Sequence, residues 1–164
     1  MEAAKIYERL KTKFGESVGD ADLEAKDPWV VVQPQSICDV CHYLFDDPDL
    51  RFDSLSNQSG VDYKNGGYIE VVYHLYSYTY RHLAVLKVRT PRDNAVIPSV
   101  ESIWKAAIWL EREIFDLLGV IFTEHPDLRR LLMPEDWVGY PLRKDFVEPD
   151  EYHGISTRRE SLLR

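Results

Sequence analysis

The amino-acid sequence predicts an α+β fold: a small mixed or antiparallel sheet of about four strands covered by helices, with an extended C-terminal arm. Three features carry that prediction. Apolar residues recur at helical spacing over residues 3–14 and 100–118, three runs between residues 51 and 90 read as strands, and apolar residues thin out after Trp137. The 164-residue chain is therefore expected to divide into an α+β domain over residues 1–136 and an interaction arm over residues 137–164.

In the first helix, Ile6, Leu10 and Phe14 share one face with lysines opposite, and Gly15 stands at a C-terminal cap. A loop of acidic and small residues follows. Trp29 to Gln33 (WVVVQ) is apolar and rich in β-branched residues, and Pro34, which has no N–H for a ladder, closes it as a buried strand. Pro34 then opens a second helix, with Ile37, Cys41, Leu44 and Phe45 at helical spacing and Asp46, Asp47 and Pro48 as its stop. Strand-like runs cover Arg51–Asn57, Tyr68–Tyr78 and Arg81–Thr90. The turn signal Asn65-Gly66-Gly67 between the first two suggests an antiparallel meander. Ile69, Val71, Tyr73 and Leu75 alternate with Glu70, Val72, His74 and Tyr76, and the first set is expected to face the helices.

Pro98 and Ser99 begin the most strongly patterned helix. Ser99 is its expected N-cap, Val100, Ile103, Trp104, Ala107, Ile108, Ile114, Phe115 and Leu118 form its apolar stripe, and Gly119 ends it. After an extended Val120–Phe122, Pro126 is expected to start a short helix through Leu132 that Met133-Pro134 stops. From Trp137 onward the chain is Gly, Pro and charge, the composition of a segment that folds on binding.

Charge narrows the partners. A formal net charge of −8 and a pI near 5.1 repel phosphate backbones and anionic lipid surfaces, which argues against nucleic acid and against direct membrane binding. No apolar run approaches the roughly 20 residues of a transmembrane helix, and the opening MEAAKIYERLKTKFGES has no apolar core of a signal peptide, so a cytoplasmic location is expected.

Cys38-Asp39-Val40-Cys41-His42 matches the C-x-x-C-H pattern of c-type haem attachment. That chemistry requires export, and both cysteines fall on or beside the apolar face of the second helix, so two buried thiols are the expectation. Zinc would need two more soft ligands, and a thioredoxin-like pair would sit at a helix N-terminus after a strand. Glu111, Arg112, Glu113 and Asp116 could be read as an acid–base cluster. Glu111 lies within the apolar stripe, however, so it is expected to be part-buried and paired with a cation from Arg129, Arg130, Arg143 and Lys144. No phosphate loop, nucleophile elbow or HExxH motif occurs.

The ordered run Trp104, Ala107, Trp109, Glu111-Arg112-Glu113, Asp116, Gly119-Val120, Phe122, His125-Pro126-Asp127-Leu128-Arg129-Arg130, Leu132, Pro134, Asp136-Trp137, Gly139 and Pro141-Leu142-Arg143-Lys144-Asp145-Phe146 resembles the signature of the complex I 30 kDa subunit family. Fainter likeness continues upstream through Tyr68–Val88 and Pro98-Ser99. Relatives commonly carry His where Tyr140 stands, and some have longer or fused C-termini.

The resemblance implies a scaffold subunit of the peripheral arm of proton-translocating NADH:quinone oxidoreductase, on the cytoplasmic face of the bacterial plasma membrane. It implies docking mainly on the quinone-site D subunit, with the iron–sulfur B and I subunits nearby. It also implies no cofactor in this chain, the FMN, iron–sulfur clusters and quinone residing in partner subunits. The alternative is the equivalent subunit of a membrane-bound [NiFe]-hydrogenase complex. Glu111, Arg112, Glu113, Asp116, His125, Asp127, Arg129, Arg130, Trp137, Arg143, Lys144 and Asp145 are then interface or packing residues, not catalysts. Arginine forks can hold carboxylates, and tryptophans and prolines suit rigid docking.

Overall fold

The computed structural model describes residues 2–158. Its centre is a five-stranded mixed sheet of β1 (Val18–Asp22), β2 (Trp29–Val32), β3 (Ser54–Tyr63), β4 (Tyr68–Ser77) and β5 (His82–Pro91), in the spatial order β1-β2-β5-β4-β3. The expected meander is present as β3-β4-β5, all antiparallel, and β2 adds to β5 in parallel with Val30 opposite Leu86 and Val32 opposite Val88. The fifth strand, β1, was not expected. It is an edge strand, Val-Gly-Asp-Ala-Asp, that buries only Val18 and so shows no apolar alternation.

Helix α1 (Ala3–Phe14) buries Ile6 and Leu10, and α2 (Ile37–Asp46) buries Ile37, Val40, Cys41 and Leu44. Both join one hydrophobic core with Ile69, Val71, Tyr73, Leu75, Leu86 and Val88, which includes the set expected to face the helices. A short parallel pair, β6 (Val96–Pro98) and β7 (Ile121–Thr123), brackets α3 (Ala107–Leu118). α3 lies on β3 at Gly60, where a Cβ would run into the end of the Leu118 side chain and come within 3.2 Å of Ile114 Cγ2, so a larger residue would force those side chains to shift.

Three local expectations are corrected. The strand expected at Arg51–Asn57 starts at Ser54 and runs to Tyr63, since buried Gln58 and Asp62 interrupt its apolar pattern. The helix expected from Ser99 begins at Ala107. The Ser99 hydroxyl and the Val100 N–H are taken by the Glu111 side chain, and residues 100–106 form turns in which Val100 and Trp104 are still buried. The short helix expected over Pro126–Leu132 is absent, because side chains of α3 occupy its backbone groups, as described next.

Residues 137–158 contain no long element and end in a two-strand hairpin, β8 (Glu151–Tyr152) and β9 (Ile155–Ser156). The last six residues of the expected arm lie outside the described residues.

Candidate interaction site

Three charged side chains of α3 face inward. Asp116, fully buried, accepts at Oδ2 from the backbone N–H groups of Leu131 (3.0 Å), Leu132 (2.7 Å) and Met133 (2.8 Å). Its Oδ1 accepts from Arg130 Nη1 at 2.7 Å. Burial pushes this carboxyl up. The bonds from Met133, Arg130, Leu132 and Leu131 outweigh burial, and its pKa lies below the usual carboxylate range.

Arg130 does more than pair with Asp116. Through Nη2 it donates to the carbonyls of Trp137 (2.9 Å) and Gly139 (3.2 Å), and through Nη1 to the Asp116 carbonyl (3.1 Å). Arg112, only 7% exposed, donates to the carbonyls of Arg129 and Arg130, both at 3.1 Å, and approaches Asp127 at 3.8 Å. The carbonyls of Arg129 and Arg130 and the amides of Leu131, Leu132 and Met133 are therefore all bonded to side chains of α3. A helix there would need the same groups.

A second strap follows. Gly119, at φ +74°, caps α3, and a Cβ on it would lie 2.5 Å from the Tyr140 ring. Tyr140 packs there with the Arg143 and Arg130 guanidinium carbons 4.9 and 5.7 Å from its ring centre, and Arg143 Nε donates to the Leu118 carbonyl at 2.7 Å. Farther on, Asp62 at the end of β3 accepts both nitrogens of an Arg92 fork (2.7 and 3.0 Å) and the Lys144 N–H (2.7 Å). Arg92 also bonds Asp145, whose carboxyl it draws down to about 2.

The remaining expected residues have smaller parts. His125 donates through Nε2 to the Ile108 carbonyl at 3.2 Å and accepts the Asp127 N–H at Nδ1, while Arg129 is exposed and pairs with Asp127. Trp137 packs near Phe146 and Tyr152. Glu113 is exposed.

Glu111 departs from expectation. It is fully buried, and among the described residues no cation pairs with it. Arg130 is taken by Asp116, Arg143 holds a carbonyl, and Lys144 contributes its backbone N–H. Its partners are the Ser99 hydroxyl (2.6 Å) and the Val100 N–H (2.9 Å). Burial raises its pKa to about 7 against those two bonds. Sequence reasoning also missed Arg92 and Asp62. Asp62 at a sheet position facing the helices was a signal for a buried partner; nothing local marked Arg92, 30 residues away.

The C-x-x-C-H pattern falls at α2. Cys41 is buried, Cys38 donates to the Ser99 carbonyl at 3.2 Å, and His42 points to solvent. Burial pushes the Cys38 thiol up to about 11. No group of three or more His, Cys, Asp or Glu among the described residues could hold a metal ion, and no helix among them is long and apolar enough to cross a membrane.

Large apolar side chains stand exposed around this hub, among exposed charges such as Glu113, Arg129, Glu135 and Lys144. Val138 is 85% exposed, Val147 83%, Leu132 60%, Trp109 57% and Leu142 54%. The ion pairs of the site turn inward, and several large apolar side chains turn out.

Known proteins share this architecture. The family model of the respiratory-chain NADH dehydrogenase 30 Kd subunit matches residues 30–152. The chain belongs to that family. The C subunit of NADH-quinone oxidoreductase from Roseiflexus sp. (strain RS-1) is 46% identical over 147 residues, covering 88% of this chain and 84% of that one. Its counterpart in Chlorobium phaeobacteroides is 40% identical over 94% of both chains. The C subunit of F(420)H(2) dehydrogenase from Methanosarcina mazei is 41% identical over 89% of this chain and 92% of its own.

Among solved structures, the trypsin-resistant fragment 1–134 of Nqo5 superposes with a TM-score of 0.63 at 27% identity, over 78% of this chain and all of that fragment. The archaeal membrane-bound sulfane sulfur reductase contains a chain that superposes at 0.69 with 25% identity, over 90% of this chain and 86% of that one. This 30 kDa-type subunit therefore has the α+β fold of its family, and the oxidoreductase that names the family is a multi-subunit respiratory complex.

Proposed function

We propose that the chain is a non-catalytic scaffold subunit of the peripheral arm of proton-translocating NADH:quinone oxidoreductase, seated on the cytoplasmic face of the membrane through its partners. It supports the quinone-site D subunit, with the iron–sulfur B and I subunits adjacent. The observation that carries this is the strap over α3. Asp116, Arg112, Arg130 and Arg143 spend their hydrogen bonds on the chain's own backbone, which leaves them unsuited to a reaction and fixes an arm that shows Leu132, Val138, Leu142 and Val147 to a partner. FMN, clusters and quinone are assigned to the partner subunits, and this chain is assigned none.

A second reading keeps the scaffold role but changes the electron donor. Similarity to an F(420)H(2) dehydrogenase subunit and to a chain of a sulfane sulfur reductase complex favours it, and a membrane-bound [NiFe]-hydrogenase is a further member of this class. The test is affinity purification of the tagged full chain from gently solubilised membranes, with mass spectrometry and NADH:quinone activity on one sample. Recovery of the B, D and I subunits with the NADH-oxidising module supports the first reading. Recovery with a different input module moves the assignment to the second, and a solitary protein removes both.

A further inference from the structure

Three buried polar atoms in the middle of the core have no hydrogen-bond partner among the described residues: both amide atoms of Gln58 and the hydroxyl of Tyr73. Gln58 on β3 stands directly opposite Tyr73 on β4, and both side chains rise from the sheet face that α3 covers. The polar group above them is Glu111. The Gln58 amide is turned toward both the Glu111 carboxyl and the Tyr73 hydroxyl, yet meets neither in hydrogen-bond geometry.

Glu111 has capacity to spare. Each of its oxygens accepts one bond, from Ser99 or from Val100, and a carboxylate oxygen has room for a second. Cys38 and Cys41 of α2 are the other titratable groups nearby, with Glu101 beyond, and no cation pairs with Glu111 among the described residues. Buried donors and acceptors without protein partners are, in folded proteins, commonly bonded to ordered water. A cleft of about 120 Å³ between β3 and α3, lined by Gln58, Gly60, Glu113, Ile114, Leu118 and Leu142, leads from solvent to Gln58.

We propose that water is a structural ligand of this core, bound between the Gln58 amide, the Tyr73 hydroxyl and the Glu111 carboxyl. The water accepts the Tyr73 O–H, bonds the Gln58 amide, and donates to a free lone pair of Glu111. It ties β3 and β4 to α3, and through Glu111 to the turn at Ser99 and Val100. The site is independent of which complex the chain serves.

Two measurements on the full chain test it. In a crystal structure at better than about 1.5 Å, a density peak is expected within about 2.6–3.2 Å of Tyr73 Oη and a Glu111 oxygen. No peak, with Gln58 turned to bond Glu111 or Tyr73 directly, overturns the proposal. Tyr73→Phe supplies the thermodynamic readout, because a water-bonded hydroxyl and an unbonded one predict opposite signs, while the density separates water from a direct bond to Gln58. With water present, the phenylalanine strips one partner from it and the melting temperature falls by about 2–4 °C. In a dry core the same change removes an unsatisfied hydroxyl, and a melting temperature that stays level or rises overturns the water site.

Discussion

Glu111→Gln is the perturbation that most directly probes the buried core of the site. Burial holds the Glu111 pKa at about 7 in the folded chain against an ordinary 4.5. The folded state therefore binds the proton more tightly. The stability contributed by the neutral carboxyl is fully present below pH 4.5 and is lost as the pH rises through about 7. The interval from 4.5 to about 7, at about 1.4 kcal/mol per pH unit, corresponds to about 3 kcal/mol.

Glutamine keeps the shape and cannot ionise, and the Ser99 hydroxyl can rotate to accept from the new amide. The expected result is a variant that gains on the natural chain by about 3 kcal/mol between about pH 5 and pH 8.5. Urea midpoints at fixed ionic strength measure it. Taking the difference between the two proteins cancels the titration of His82, whose pKa burial lowers in both. A difference flat to within about 1 kcal/mol over that range would refute the claim that Glu111 is uncompensated in the core.

Asp116→Ala removes one acceptor from an arginine and three amides at once, and a loss of about 3–5 kcal/mol in urea unfolding is expected. Asp116→Asn keeps an oxygen for the amides and should lose less; equal losses would mean that the amide bonds contribute little. At about pH 8, Cys38 in the folded chain should react with iodoacetamide about 100-fold more slowly than an ordinary thiol, as a pKa of about 11 in place of 9.0 implies, and normally once unfolded.

Sequence patterns located the burial in this molecule better than the bonding. Periodicity located β3 only in part, because buried Gln58 and Asp62 interrupt the pattern, and it placed α1, α2, β4 and β5 because each presents a regular apolar face. It overextended α3 for the same reason: Val100 and Trp104 are buried inside turns, and a stripe reports burial, whatever the backbone does between the buried points. β1 was silent because an edge strand with one buried residue carries no alternation. At the site, residue types were legible and pairings were not. Glu111 and Asp116 share one helix, yet one is given a serine and an amide and the other an arginine and three amides. Position within the fold decides that, and Arg92 reaches Asp62 and Asp145 across 30 and 53 residues that no local rule connects.

The same asymmetry explains how a segment rich in glycine, proline and charge is held in place. Residues 126–146 form no helix or ladder, so their backbone must find partners elsewhere or stay hydrated. The side chains of α3 and β3, together with Arg130, supply those partners: Arg112 and Arg130 take carbonyls, Asp116 and Asp62 take amides, and Arg143 returns a bond to the end of α3. Ordering a free segment of this length on a partner would cost roughly 1–2 kcal/mol per residue in backbone entropy alone. A segment already fixed on its own domain meets that cost during folding, so a partner that bound it would not meet it again. Much of the charge in this arm, at Arg130, Arg143 and Asp145, therefore serves as internal framework.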